Sequence, residues 1–316
     1  MRVAAIDCGT NSVRLLVADV GDGELTEVER RMEIVRLGQG VDRTGRLAPD
    51  ALARTFQAMR SYQDLIGRHG AEATRVVATS ATRDAVNRHE FVDGVREIFG
   101  VEPEVVSGSE EAELSFTGAT RGLVRLSPET GVPQGPLPPY LVVDIGGGST
   151  EFVVGVEHAR AALSVDIGCV RLTERHLRDA AGDPPSAPAL EAVVADIEAA
   201  LDRVEAEVPV REAHTLVGLA GSVTTVAGIA LDLPEYDPER IHHARISAEQ
   251  VHDVTRRLLA MTHGERAEVA VMHPGRVDVI GAGALILDRI VRRFAFSQVV
   301  VSEHDILDGI AWSLAG

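Results

Sequence analysis

The sequence predicts an α/β protein of two domains with related strand–helix topology. Three observations carry that expectation. The length of 316 residues is close to twice that of a common domain, roughly 150 residues. Apolar strand-like runs alternate with amphipathic helical stretches. A strand–turn–strand unit occurs twice, about half a chain apart. Hydrophobic residues at 45% and charged residues at 25% are ordinary for a globular chain and allow each half its own core.

The elements follow in order. Val3–Ile6 is an apolar run, Asp7-Cys8-Gly9-Thr10-Asn11-Ser12 is turn-forming, and Val13–Val20 is apolar again. A helix is expected over Asp50–Arg68, with Leu52, Phe56, Met59 and Leu65/Ile66 on one face, Pro49 near its start and Gly70 at its end. Arg75–Thr79 reads as a buried strand, followed by a polar turn, Ser80-Ala81-Thr82-Arg83-Asp84. Phe91, Val92, Val95 and Phe99 recur at helical spacing within Arg88–Phe99, and Pro103–Val106 reads as a further strand. Ser127–Pro139 is rich in proline and glycine and reads as a linker, so the main boundary is placed there.

Tyr140–Val143 restarts the strand pattern. Gly182–Pro188 is a second break, ahead of a helical run over Leu190–Val208. Thr215–Val217 leads into a third glycine-rich element, Gly218-Leu219-Ala220-Gly221-Ser222. Its small residues allow a ligand or a helix to approach, and Ser222 is expected to cap the next helix. Val299–Val301 is a strand, and Ile306–Leu314 an apolar helix expected to return to the first domain. The domains are therefore expected at 1–126 with 303–316, and at 127–302.

Charge excludes several functions. Aspartate and glutamate number 48 against 31 basic residues, a net of −17, and every basic residue is arginine. Without lysine there is no Walker A lysine, no Schiff-base lysine and no protein-kinase strand lysine. A nucleic-acid partner is not expected, because it would need a basic surface to displace counterions. Cys8 and Cys169 cannot form a disulfide framework, which points to a reducing cytoplasm. The opening residues reach Asp7 before any signal-peptide core, and Val279–Leu287 is too short to span a bilayer, so no membrane partner is expected. The histidines show no HExxH spacing.

The repeat carries the chemistry. Asp7-Cys8-Gly9-Thr10-Asn11-Ser12-Val13-Arg14-Leu15-Leu16-Val17 aligns without gaps onto Asp144-Ile145-Gly146-Gly147-Gly148-Ser149-Thr150-Glu151-Phe152-Val153-Val154. A small-residue turn between strands exposes backbone amides that bind phosphate oxygens without a positive side chain. Asp7 and Asp144 stand at the strand ends. Carboxylates beside a phosphate make sense when Mg²⁺ lies between them, since Mg²⁺ takes one or two carboxylates plus phosphate and water. The bland reading of either copy alone is a hairpin turn with aspartate as turn former; two equivalent copies favour a phosphate ligand.

Together these elements resemble the actin/Hsp70/sugar-kinase superfamily, and more closely the exopolyphosphatase/guanosine pentaphosphate phosphatase family. The resemblance is carried by Ala5–Ser12, Ala78–Ala85, Ser107–Ala112, Val143–Glu151, Asp166–Leu172 and Gly221-Ser222, and it spans nearly the whole chain. It implies two ribonuclease H-like (actin-like ATPase) domains flanking an interdomain cleft. It implies hydrolysis of inorganic polyphosphate from its end, with guanosine pentaphosphate as the alternative substrate and a non-catalytic sensor as a more distant one. Long relatives continue into a helical HD-like module. A short form without it is expected to prefer shorter polyphosphate or to rely on a homodimer.

The resemblance also implies a glutamate as general base for water. Glu110 and Glu111 stand side by side. Ser107 followed by Glu110 fits a capping box, in which Glu110 folds back onto the helix's own start and leaves Glu111 to the site. Both could be first-turn acids favoured by the helix dipole, but the resemblance places the base at Glu111. Asp7, Asp144 and Glu151 are the expected Mg²⁺ ligands, with Glu151 also positioning the lytic water. Gly146, Gly147, Gly148 and Ser149 are expected on the terminal phosphate, with Asn11, Ser12 and Arg14 acting likewise from the first loop. Arg83 is expected on the next phosphates. Arg171 either joins it or pairs with a surface acid.

Overall fold

In the first strand, β1 (Arg2–Cys8), every residue after Arg2 is buried, and its alternation feeds two apolar layers. Ala4, Ile6 and Cys8 face a core built with Leu52, Met59, Tyr62 and Ile66 of α1 (Pro49–His69) and Phe91 and Val95 of α2 (Arg88–Phe99). Val3 and Ala5 face Ile306, Leu307, Ile310 and Ala311 of the C-terminal helix, Ile306–Ser313. Period-two alternation thus buries both faces of one sheet.

The computed structural model describes residues 1–21, 23–123, 125–126, 133–178 and 182–315. The chain divides into a first unit of Met1–Gly118 with Ile306–Gly316, and a second of Ala119–Asp305. The first boundary lies in the last turn of α3 (Gly108–Thr120), not at 127, and the return lies at Ile306, not at 303. Proline and glycine mark where regular structure stops, which is not where packing changes hands. Residues 127–132 of the expected linker lie outside the described residues.

The first sheet joins β2 (Ser12–Gly21), β3 (Glu24–Ile34), β4 (Ala73–Ala78) and β5 (Glu104–Val105) to β1 in the order β3-β2-β1-β4-β5. β1, β2 and β3 form an antiparallel meander, while β4 and β5 continue the sheet in parallel. The segment after β4 is not a polar turn but a short helix, Ser80–Asp84, whose Ser80, Ala81 and Thr82 are buried.

The second sheet contains β6 (Tyr140–Ile145), β7 (Thr150–Gly155), β8 (Ala159–Val165), β9 (Thr215–Leu219), β10 (Arg245–Ser247) and β11 (Gln298–Val301). Its order, β8-β7-β6-β9-β11-β10, repeats that of the first sheet and adds β10 as an antiparallel edge. One apolar core joins it to α4 (Ala187–Glu207), α5 (Ala220–Ala230), α6 (Ala248–Ala260) and α7 (Ile280–Phe294). Both units therefore have the ribonuclease H-like order of an actin-like fold. No helix among the described residues is long and apolar enough to cross a membrane.

Candidate active site

The duplication seen in the sequence is a duplication of geometry. In the first hairpin the Gly9 amide donates to the Ser12 carbonyl at 3.0 Å; in the second the Gly146 amide donates to the Ser149 carbonyl at 3.1 Å. The cross-strand register is also the same, pairing Asp7 with Arg14 and Asp144 with Glu151. The Gly146 amide, expected on phosphate, is thus engaged in closing its own turn.

Each turn is tied back through its carbonyls by the segment that follows the third strand. Thr10 O accepts from the Gly38 amide at 2.8 Å, and Asn11 O from Val35 and Arg36 at 3.1 and 2.8 Å. Gly146 O accepts from Cys169 at 3.0 Å, and Gly147 O from Val170 and Arg171 at 2.9 and 3.0 Å. In a trans peptide the C=O and N–H point opposite ways. Holding the carbonyls on one side therefore aims the following amides to the other. Among the described residues, the amides of Asn11, Gly147 and Gly148 form no hydrogen bond. That arrangement can bind an anion in each unit.

The tie depends on two glycines that sequence reasoning did not single out. A Cβ on Gly38 would stand 2.3 Å from the Thr10 side chain, and one on Gly168 would stand 2.2 Å from the Gly147 carbonyl oxygen. A second repeated signal marks them: Val35-Arg36-Leu37-Gly38 matches Val165-Asp166-Ile167-Gly168, with the leucine and isoleucine both buried. Its offset differs from that of the first repeat, which hides it from an ungapped comparison.

The carboxylates differ between the units. Asp7, expected on a metal, is engaged by Arg14: its Oδ2 accepts from Nε at 3.0 Å and from Nη2 at 2.6 Å. In the second unit two buried carboxylates, Asp144 and Glu151, lie directly opposite one another on adjacent strands. Glu151 Oε1 accepts from Ser164 Oγ at 2.7 Å. Like charges placed this way repel, and burial magnifies the cost unless a cation or proton intervenes. Among the described residues no group of three or more His, Cys, Asp or Glu side chains is arranged to hold a metal. A two-carboxylate donor set suits Mg²⁺, which fills its remaining positions with phosphate and water.

The paired glutamates separate as the capping argument expects. Glu110 Oε2 accepts from the Ser107 amide and hydroxyl, both at 2.8 Å, and the Glu110 amide donates to Ser107 Oγ at 3.3 Å. Glu111 is buried and takes Nη1 of Arg83 at 2.9 Å. The same Nη1 donates to the Val106 carbonyl at 3.1 Å. The Nε and Nη2 atoms of Arg83 make no hydrogen bond among the described residues, which leaves a guanidinium edge for an anion. Helix α3 is held in place from the C-terminal helix: a Cβ on Gly309 would stand 2.0 Å from the Leu114 carbonyl oxygen.

Arg171 takes up the surface-acid alternative with the exposed Asp166 and also reaches the glycine turn. Its Nε donates to Gly148 O at 2.6 Å, and Nη2 lies 3.9 Å from Asp166, so it braces the glycine turn. The third glycine element serves packing. Helix α5 starts at Ala220, so Ser222 lies inside it rather than at its cap, and a Cβ on Gly283 of α7 would clash with Ser222. Arg276 covers Gly221 and donates to its carbonyl at 3.3 Å. Burial pushes the Cys8 thiol well above its ordinary pKa, and Cys169 rises for the same reason, so neither is a ready thiolate.

Comparison with known proteins places these features in context. Residues 16–316 match the Ppx/GppA phosphatase family. The chain is 48% identical over 328 residues to exopolyphosphatase 2 of Mycobacterium tuberculosis, covering 100% of this chain and 99% of the relative. It is 28% identical over 315 residues to guanosine-5'-triphosphate,3'-diphosphate pyrophosphatase of Aeromonas salmonicida, covering 99% of this chain and 59% of that relative. Among solved structures, the Aquifex aeolicus PPX-GPPA enzyme matches with a TM-score of 0.79 at 32% identity, covering 99% of each chain.

Proposed function

The chain belongs to the Ppx/GppA phosphatase family, and we propose from that premise that it is an exopolyphosphatase. It hydrolyses the terminal phosphoanhydride of inorganic polyphosphate and releases orthophosphate stepwise. The observation that carries the reading is the twinned hairpin: each unit holds a turn whose carbonyls are tied back and whose amides are presented to an anion.

Water attacks the terminal phosphorus as the bridging P–O bond breaks, and the shortened chain leaves with its negative charge. Glu111 accepts the water's proton. Arg83 Nη1 holds that carboxylate at 2.9 Å. A strongly basic group is unnecessary, because phosphoryl transfer depends more on positioning and charge neutralisation than on basicity.

The Gly147 and Gly148 amides and Ser149 take oxygens of the terminal phosphate. Asn11, Ser12 and Arg14 act likewise in the first unit, and the open edge of Arg83 takes the next phosphates. Asp144 and Glu151 would hold Mg²⁺, with Glu151 also orienting the lytic water; when bound, the ion supplies charge neutralisation at the phosphate oxygens. Arg171 acts through the turn it braces.

A second reading is hydrolysis of guanosine pentaphosphate, which presents a terminal phosphate to the same groups; the 28% relative from Aeromonas favours keeping it. The discriminating experiment measures orthophosphate release, with Mg²⁺, from short polyphosphate, long polyphosphate, guanosine pentaphosphate and ATP. Polyphosphate is expected to give the highest kcat/KM. Faster release from guanosine pentaphosphate would move the assignment to the second reading. Tight polyphosphate binding without release would make the protein a sensor instead.

A further inference from the structure

Asp144, Glu151 and Ser164 stand in one row across three strands. The register of β6 and β7 pairs Asp144 with Glu151, and that of β7 and β8 pairs Glu151 with Ser164. Residues paired across an antiparallel ladder project from the same face, so these three side chains share one. The alternate row holds Val143, Phe152 and Leu163, which pack into the apolar core of the second unit. That packing fixes the face to which Ser164 is turned. Its hydroxyl donates to Glu151 Oε1 at 2.7 Å, and Glu151 is only 1% exposed. At the same place in the first hairpin, β3 sets Met32 opposite Arg14. A hydroxyl donor thus stands beside the glutamate of the second hairpin, and a thioether, which has no proton to donate, beside the arginine of the first.

We propose that Ser164 is a positioning residue of the reaction: from the edge strand it holds the Glu151 carboxylate in the orientation that serves the divalent ion and the lytic water. The proposal rests on the reading of Glu151 as a metal ligand and water-positioning group. Its physical basis is that the last torsion of a glutamate is broad, so the carboxylate plane needs an outside partner to fix it. A donor whose own backbone is packed in place supplies that restraint, as the partners of metal-ligating groups commonly do. Serine suits the task because its single O–H orients the carboxylate without bringing a positive charge to compete with the ion.

The test measures two quantities on the full chain, with melting curves confirming that each variant is folded. One is Mn²⁺ affinity, by equilibrium titration following the free-ion paramagnetic resonance signal; the other is phosphate release from polyphosphate with Mg²⁺. Ser164→Ala is expected to weaken Mn²⁺ binding and to lower kcat, each by about 10- to 100-fold, with KM for polyphosphate within about two-fold of wild type. Ser164→Thr keeps the hydroxyl and suits a strand, and should restore both to within about three-fold. In a Glu151→Gln background, Ser164→Ala should change kcat by less than about two-fold, because it acts through Glu151.

Mn²⁺ affinity or kcat close to wild type in folded Ser164→Ala would overturn the proposal and leave the exopolyphosphatase reading intact. So would a folded Ser164→Thr that restores neither, or an undiminished loss in the Glu151→Gln background, which would mean a general disturbance of the strand. If Ser164→Ala does not fold, Ser164→Cys, which keeps the shape with a much weaker donor, takes its place under the same criteria. No ion on wild type would overturn the metal reading and the proposal with it. A wild-type protein that binds the ion but hydrolyses none of the four substrates would remove the enzymatic reading, and the Mn²⁺ affinities of the variants would then decide the proposal.

Discussion

At the scale of single residues, Ser107 gives two adjacent glutamates different tasks. Its amide and hydroxyl claim Glu110, holding that carboxyl below the usual glutamate range, whereas Glu111 turns to Arg83. A carboxyl whose folded pKa is depressed stabilises the fold above its unfolded value, near 4.3, and that contribution fades as pH falls through the folded value. Glu110→Ala should therefore melt below wild type at neutral pH, with the gap closing as pH drops below about 4, while polyphosphate turnover persists. Thermal melts across that pH range, paired with phosphate release, check it. A collapse of turnover with an unchanged melting temperature would reverse the assignment of the pair.

At the scale of elements, the phosphate turns are shaped by what packs behind them. Gly168 has φ −133°, which any residue can adopt, so its constraint is steric: only a missing Cβ lets it lie against the Gly147–Gly148 peptide. Gly168→Ala should displace that turn at a strain of about 1–3 kcal/mol. We expect KM for polyphosphate to rise roughly tenfold or more, since about 1.4 kcal/mol is a factor of ten in affinity. Steady-state kinetics alongside a melting curve check this; a melting temperature that falls with KM unchanged would mean the glycine serves stability alone.

The same scale shows what the sequence could reveal. Arg88–Phe99 was legible to the residue because its apolar face recurs every turn and glycine stops it. β3 was not, because an edge strand carrying Glu27, Glu29, Arg30, Arg31 and Glu33 has little apolar alternation to read. In the site, Asp-x-Gly-x-x-Ser announced both turns by local chemistry. The Arg14–Asp7 pair and the glycines behind the turns depend on which strands neighbour one another. That information resides in the sheet order rather than in any short segment.

At the scale of the whole molecule, a chain of net charge −17 is expected to act on a polyanion. Long-range repulsion should slow encounter most at low ionic strength, where the Debye length is about 30 Å at 0.01 M against about 8 Å at 0.15 M. With Mg²⁺ held constant, kcat/KM for polyphosphate should rise several-fold as monovalent salt increases across that interval, with kcat little changed. A steady fall over the same range would mean that local arginines and amides, not the overall field, govern capture.

In the proposed reaction these hairpins bind a phosphate chain so that Glu111 can take a proton from water. The most direct measurement sets orthophosphate release by Glu111→Gln beside its equilibrium affinity for polyphosphate. We expect turnover to fall by about 10²–10⁴-fold, with affinity within about two-fold of wild type and an unaltered melting temperature. Turnover within a few-fold of wild type in the folded variant would contradict it.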